Sequence, residues 1–102
     1  GYLQFIKADG VVAWISDSND IVTNKLDYLP LGESKIDITI PSRSLAPGTY
    51  SVYLNFTSHQ NTLGVNVDSP FDVCVFNLTD DHTRRGDSRG GYLSTLLEWN
   101  LI

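Results

Sequence analysis

Leu45-Ala46-Pro47-Gly48-Thr49-Tyr50-Ser51-Val52-Tyr53-Leu54-Asn55-Phe56 is the stretch that decides the fold. Proline fixes its own φ and has no N–H for a ladder, and glycine tolerates positive φ, so Pro47-Gly48 makes a tight turn. Beyond it, Tyr50, Val52, Leu54 and Phe56 fall on one face of a strand, with Ser51, Tyr53 and Asn55 on the other. A Leu-x-Pro-Gly-x-Tyr corner feeding a period-2 strand belongs to β-sandwich domains.

The rest of the chain reads the same way. Tyr2, Gln4 and Ile6 alternate with Leu3, Phe5 and Lys7, and Asp9-Gly10 is a two-residue hairpin signal that returns Val11 to Ser16 antiparallel. That register sets Phe5 opposite Trp14 and Gln4 opposite Ile15, and turns Trp14 inward beside Leu3 and Phe5. Ser18 to Gly32 is turn-rich, with a short strand expected at Ile21 to Thr23. Lys35-Ile36-Asp37-Ile38-Thr39-Ile40 alternates cleanly and ends at Pro41, so it is predicted to be a strand. Phe71 to Phe76 is another, with Phe71, Val73 and Val75 expected on its inner face. Residues 77–91 read as a flexible connector, and Tyr92 to Ile102 as a last strand around Trp99. The strands at 49–56 and 71–76 are expected to pair, with 2–7 as their neighbour. No window carries a 3.6-residue apolar period. The expectation is an all-β, immunoglobulin-like antiparallel sandwich in one domain, 1–102.

Composition narrows the function. A net charge of -5, with seven Lys and Arg scattered along 102 residues, builds no basic face for a phosphate backbone, so no nucleic-acid partner is expected. No apolar run approaches the roughly 18 residues of a membrane span, and a soluble domain is expected. The one cysteine, Cys74, has no partner in the chain, which fits a reducing compartment. The chain contains no methionine and opens directly on strand-like sequence, so it reads as a fragment of a longer polypeptide.

Four features in one order carry a family resemblance. They are the Asp9-Gly10 hairpin; the Lys35 to Ile40 segment running through Leu45 into Pro47-Gly48-Thr49-Tyr50; the strand Phe71-Asp72-Val73 approached from Asp68; and Arg89-Gly90-Gly91 with Trp99 beyond it. Together they resemble the C-terminal carbohydrate-binding domain of Wzt-type ATP-binding subunits, which serve ABC transporters exporting O-antigen and related polysaccharides. The resemblance implies an immunoglobulin-like sandwich that binds the end of an O-antigen-type polysaccharide and does no chemistry. It further implies a homodimer formed by strand exchange, partnership with the transporter's membrane subunit through the parent protein, and a cytoplasmic place at the inner membrane. The chain departs from the family in having no phosphate-loop motif, hence no ATPase, and in lacking the family domain's first strands.

The outward face of the expected sheet is where binding is looked for. Tyr2, Gln4, Ile6, Ala13, Ile15, Tyr53, Asn55, Asp72, Cys74 and Phe76 are all expected on it. Tyrosine rings stack on the apolar faces of sugars, while Asn, Gln and Asp satisfy hydroxyls. Gln4, Tyr53, Asn55, Asp72 and Phe76 are therefore the candidate carbohydrate-binding residues. The same face also suits packing against another strand or a second copy, so an immunoglobulin-like structural or dimerisation module stays open, as does an accessory module of a secreted glycoside hydrolase. Catalysis is not expected: no carboxylate pair is positioned across a cleft, and His59 and His82 have no nucleophile partner. Nor is a cofactor or metal expected, because the adjacent residues Asp80-Asp81-His82 cannot converge on one ion and read as a solvated loop. Arg85-Gly86-Asp87 and the acceptor-like triplets at Asn55 and Asn77 read as incidental.

Overall fold

The computed structural model describes residues 1–20, 26–58, 65–66 and 71–102. Six strands appear in it: β1 (Tyr2–Lys7), β2 (Val12–Asp17), β3 (Gly48–Asn55), β4 (Thr57–Ser58), β5 (Val65–Asn66) and β6 (Phe71–Leu78). Four of them form one antiparallel sheet in the order β2-β1-β3-β6, while β4 and β5 pair as a short ladder between β3 and β6. The protein is all-β. The expected neighbours are all found: β1 beside β3, and β3 beside β6. The strand expected at Ile21 to Thr23 and the loop around His59 lie outside the described residues.

The β1–β2 hairpin has the expected register at its centre, with Phe5 opposite Trp14 and Gln4 opposite Ile15. Its turn is closed by Gly10 N–H donating to Lys7 O at 2.8 Å, with Gly10 at φ +83° and Asp9 Oδ1 accepting from Val11 N–H at 2.9 Å. The register slips between Phe5 and Ile6, where Ile6 pairs with Val12. Such a bulge re-aims the extra residue, so Ala13 packs on the core instead of pointing outward.

The corner is built as its sequence dictates. Gly48 has φ +149°, and Leu45, Ala46 and Pro47 are buried beneath the strand they feed. The Tyr50 ring is fully buried, and its hydroxyl donates to Ala46 O at 2.6 Å. The bond ties a strand tyrosine back to backbone four residues upstream and so fixes the angle at which the corner enters β3. Ala46 N–H in turn donates to Tyr92 O at 3.0 Å. Around the corner lies the core of Leu3, Phe5, Leu45, Tyr50 and Val52, flanked by Ala13, Trp14, Leu54, Phe76 and Leu78.

Two expected strands are not strands. Lys35 to Ile40 and Tyr92 to Ile102 have no ladder partner among the described residues. Ile36, Ile38 and Ile40 stay 40%, 54% and 42% exposed, and Trp99 is 93% exposed. Period-2 alternation suits a backbone to one face of a sheet, but a strand forms only where a neighbour supplies the hydrogen bonds. Tyr92 itself is anchored: its hydroxyl donates to Asp9 Oδ2 at 2.7 Å, and Lys7 Nζ lies 5.2 Å from its ring centre while donating to Gly91 O at 2.8 Å.

Residues 77 and 78 continue β6, and the loop after them is organised by Asp80. This carboxylate, expected in a solvated loop, is buried. It accepts from Thr83 Oγ1 at 2.8 Å, from His82 N–H at 3.0 Å and from the Arg43 guanidinium at 3.1 Å. Arg43, at φ +63°, also donates through Nε to Ser94 O at 3.2 Å and so ties three loops together. A non-glycine residue is held in that backbone region only when its surroundings fix it.

Candidate functional site

Faces follow from ladder pairing, since residues opposite one another share a side of the sheet. Tyr2 lies between Asp17 and Asn55; Gln4 lies between Ile15 and Tyr53; Tyr53 is in turn opposite Asp72. These two rows, with Ile6 and Ser51 beyond them, form the face opposite the core. Four of the five predicted site residues therefore meet: Gln4, Tyr53, Asn55 and Asp72.

Phe76 does not join them, and its expected outward position is corrected. The β3–β6 ladder slips between Val52 and Tyr53, pairing Val52 with Cys74 and Tyr53 with Asp72 and leaving Val73 as the extra residue. Because side chains alternate with period 2, one extra residue exchanges the faces for everything after it. Phe76 is carried opposite Tyr50 and packs on the core, stacked on the Tyr50 ring at 5.5 Å and edge-on to Phe5 at 6.0 Å. Cys74 moves with it to the Val52 side, and Val75 swaps the other way, to lie 67% exposed opposite Ser51.

The Tyr2 and Tyr53 rings lie 6.3 Å apart at 78° to one another. One ring thus forms a floor and the other a wall, the favoured edge-to-face geometry. Gln4 stands opposite Tyr53 and two residues along β1 from Tyr2, and its Nε2 donates to the Tyr2 hydroxyl. Asn55 Oδ1 is shut off from solvent and has no hydrogen-bond partner among the described residues. A buried carbonyl oxygen without a donor is costly, of order 1–3 kcal/mol, and native proteins carry few of them. Asp72 is exposed at the rim, on the edge strand.

The arrangement holds a flat aromatic-and-amide surface with carboxylates at two sides. It has amide and hydroxyl groups for hydrogen bonding and rings for stacking, and no nucleophile paired with a base. Among the described residues no three His, Cys, Asp or Glu side chains converge as a metal site would need.

Sequence reasoning left two participants off its site list. Tyr2 reads from the sequence as a residue of this face without a binding role, although the ladder sets it diagonal to Tyr53 with the rings in contact. Asp17 was readable by extending the Phe5–Trp14 register outward to the Tyr2 pair.

Two clefts lie elsewhere. One, of about 500 Å³, runs between the sheet end at Leu3, Leu54 and Phe56 and the extended segment around Ile36 and Ile38, and Tyr2 and Asp17 reach its mouth. The other, of about 420 Å³, lies beside Arg43, Asp80 and Leu96. None of the five predicted residues lines either one.

Comparison with protein-family models, with curated proteins and with solved structures finds no match for this chain.

Proposed function

We propose that this domain recognises a glycan without acting on it, through the face formed by Tyr2, Gln4, Tyr53, Asn55 and Asp72, and that the glycan is the end of an O-antigen-type polysaccharide handled by an ABC exporter. The observation that carries the reading is the pairing of two tyrosine rings at 6.3 Å and 78° on the face that also holds the Gln4 and Asn55 amides. A pyranose has an apolar face for one ring and equatorial hydroxyls for the amides, so such a surface fits it on both counts. The exporter assignment rests on the motif order described for the sequence, and with it come the cytoplasmic location at the inner membrane and the transporter subunit as partner through the parent protein.

Calorimetric titration with a panel of O-polysaccharides tests the reading. Binding is expected in the micromolar to millimolar range, and Tyr53→Ala and Asn55→Ala are each expected to weaken it about tenfold or more with the fold intact by circular dichroism. No heat from any glycan with a folded protein would sink it.

A second reading is favoured by a separate observation. The apolar stripe Ile36, Ile38, Ile40 and the segment from Leu93 to Ile102 stand exposed, which suits a homodimer in which these segments exchange between copies to complete the second layer of a sandwich. The two readings rest on different residues and are compatible.

A further inference from the structure

The binding face has a charge pattern that narrows its ligand. Along the Gln4–Tyr53 row the rim residue is Asp72, and along the Tyr2–Asn55 row it is Asp17. No Lys or Arg stands on this face of β1, β2, β3 or β6. Lys7, the cation of these strands, points to the core side, where it is held by Gly91 O and lies over the Tyr50 and Tyr92 rings. Arg43, Arg84, Arg85 and Arg89 belong to the corner approach and the loop after β6. The remaining cation among the described residues, Lys35, lines the cleft that Tyr2 and Asp17 also line, and Asp37 lines it as well.

We infer that the face is selective for uncharged glycans and that it discriminates against glycans bearing carboxylate, phosphate or sulfate. This inference rests on the glycan reading of the same face. Proteins that hold acidic sugars use Arg or Lys forks on the anion, and here the corresponding positions carry like charge. A carboxylate or phosphate brought onto the tyrosine floor meets Asp72 on one side and Asp17 on the other. Two such repulsions in a water-exposed setting are together worth about a tenfold loss of affinity at low salt. Added salt shrinks that loss, because the Debye length falls to about 10 Å at 0.1 M.

The test uses the whole chain with three neutral 1,4-linked polysaccharides, a mannan, a galactan and amylose, whose C6 hydroxyls are free, and with the same three after selective oxidation at C6 to the uronate. The expected result is that at least one neutral polymer binds and that its oxidised form binds about tenfold more weakly at 20 mM salt. The ratio of neutral to oxidised affinity is expected to fall toward one at 500 mM salt and in the double variant Asp17→Asn, Asp72→Asn, whatever change that variant makes to the neutral affinity itself. Asn at 17 keeps the oxygen that accepts from Asn19 N–H at 2.7 Å, so the end of β2 is preserved. Equal or tighter binding of the oxidised form, or a ratio unmoved by the double variant, overturns the selectivity and leaves glycan recognition standing. If no polymer of either kind binds a folded chain, both fall.

Discussion

Tyr50 carries more of the fold than any other side chain. Its ring fills the centre of the core, and its hydroxyl satisfies a carbonyl belonging to Ala46, a residue with no exposed surface. Tyr50→Phe preserves the ring and its stack on Phe76 but leaves that carbonyl without a donor. A loss of about 1–2 kcal/mol is expected, visible as a drop of several degrees in the thermal midpoint. Glycan affinity is expected to stay unchanged, because the hydroxyl lies on the opposite side of the sheet from Tyr53. Burial also pushes the Tyr50 phenol up, and the Asp9 carboxylate does the same from a distance.

At the scale of elements, the strands whose neighbours lie within the described residues were legible in the sequence. The Asp9-Gly10 turn, the Phe5–Trp14 register, the Pro47-Gly48 corner and the inward set Tyr50, Val52 and Leu54 all followed from periodicity and turn chemistry. Lys35 to Ile40 did not, since alternation records which side is apolar and says nothing about whether a partner is present to complete a ladder. The downstream half of β6 also escaped. Phe71 to Phe76 alternates without interruption in sequence, and a bulge is a property of two strands together. Asp72 and Phe76, both expected on the binding face, therefore separate by experiment. Phe76→Ala is expected to cost about 2 kcal/mol or more by removing a ring packed against Tyr50 and Phe5, measured by urea denaturation. Asp72→Ala is expected to stay within about 0.5 kcal/mol of the parent. The reverse order would restore the uninterrupted register.

For the molecule as a whole, the extents are 57 × 30 × 25 Å and the radius of gyration is 17.2 Å, against about 13 Å for a compact domain of this length. Among the described residues, Ile36, Ile38, Ile40, Leu97, Trp99 and Leu101 lie outside any ladder with their side chains exposed. Light scattering at tens of micromolar is accordingly expected to report a mass of twice 11.3 kDa, and Ile38→Lys to shift it toward the single-chain value. A monomer at all concentrations would rule out the exchanged sandwich.

The long-range ties of the molecule also predict how it responds to pH. Hydrogen bonds from Val11 N–H and the Tyr92 hydroxyl hold Asp9 below the usual carboxylate range, and those from the Thr83 hydroxyl and His82 N–H do the same for Asp80. The bond to Asp9 raises the Tyr92 phenol. A carboxyl depressed in the folded state lends stability that is complete above its unfolded value, near 4, and fades as pH falls below it. A phenol raised in the folded state lends stability that is complete below its unfolded value, near 10, and fades as pH rises past it. The thermal midpoint is therefore expected to be level from about pH 5 to 9 and to fall at both ends. Asp9→Asn should soften the acid and the alkaline limbs together, because one hydrogen bond joins the two groups. A variant that altered only one limb would contradict the Asp9–Tyr92 link.

The slip at Val73 divides β6 into two independent offices. Upstream of it, Asp72 serves the rim of the binding face; downstream, Phe76 and Leu78 serve the core. Excising Val73 would regularise the ladder without turning either half over: Cys74 would follow Asp72 directly and stay opposite Val52, with Phe76 still opposite Tyr50. What the extra residue adds is the local bend and twist of a bulge, not the facing of its neighbours. Recognition and stability would keep their separate sides with or without it.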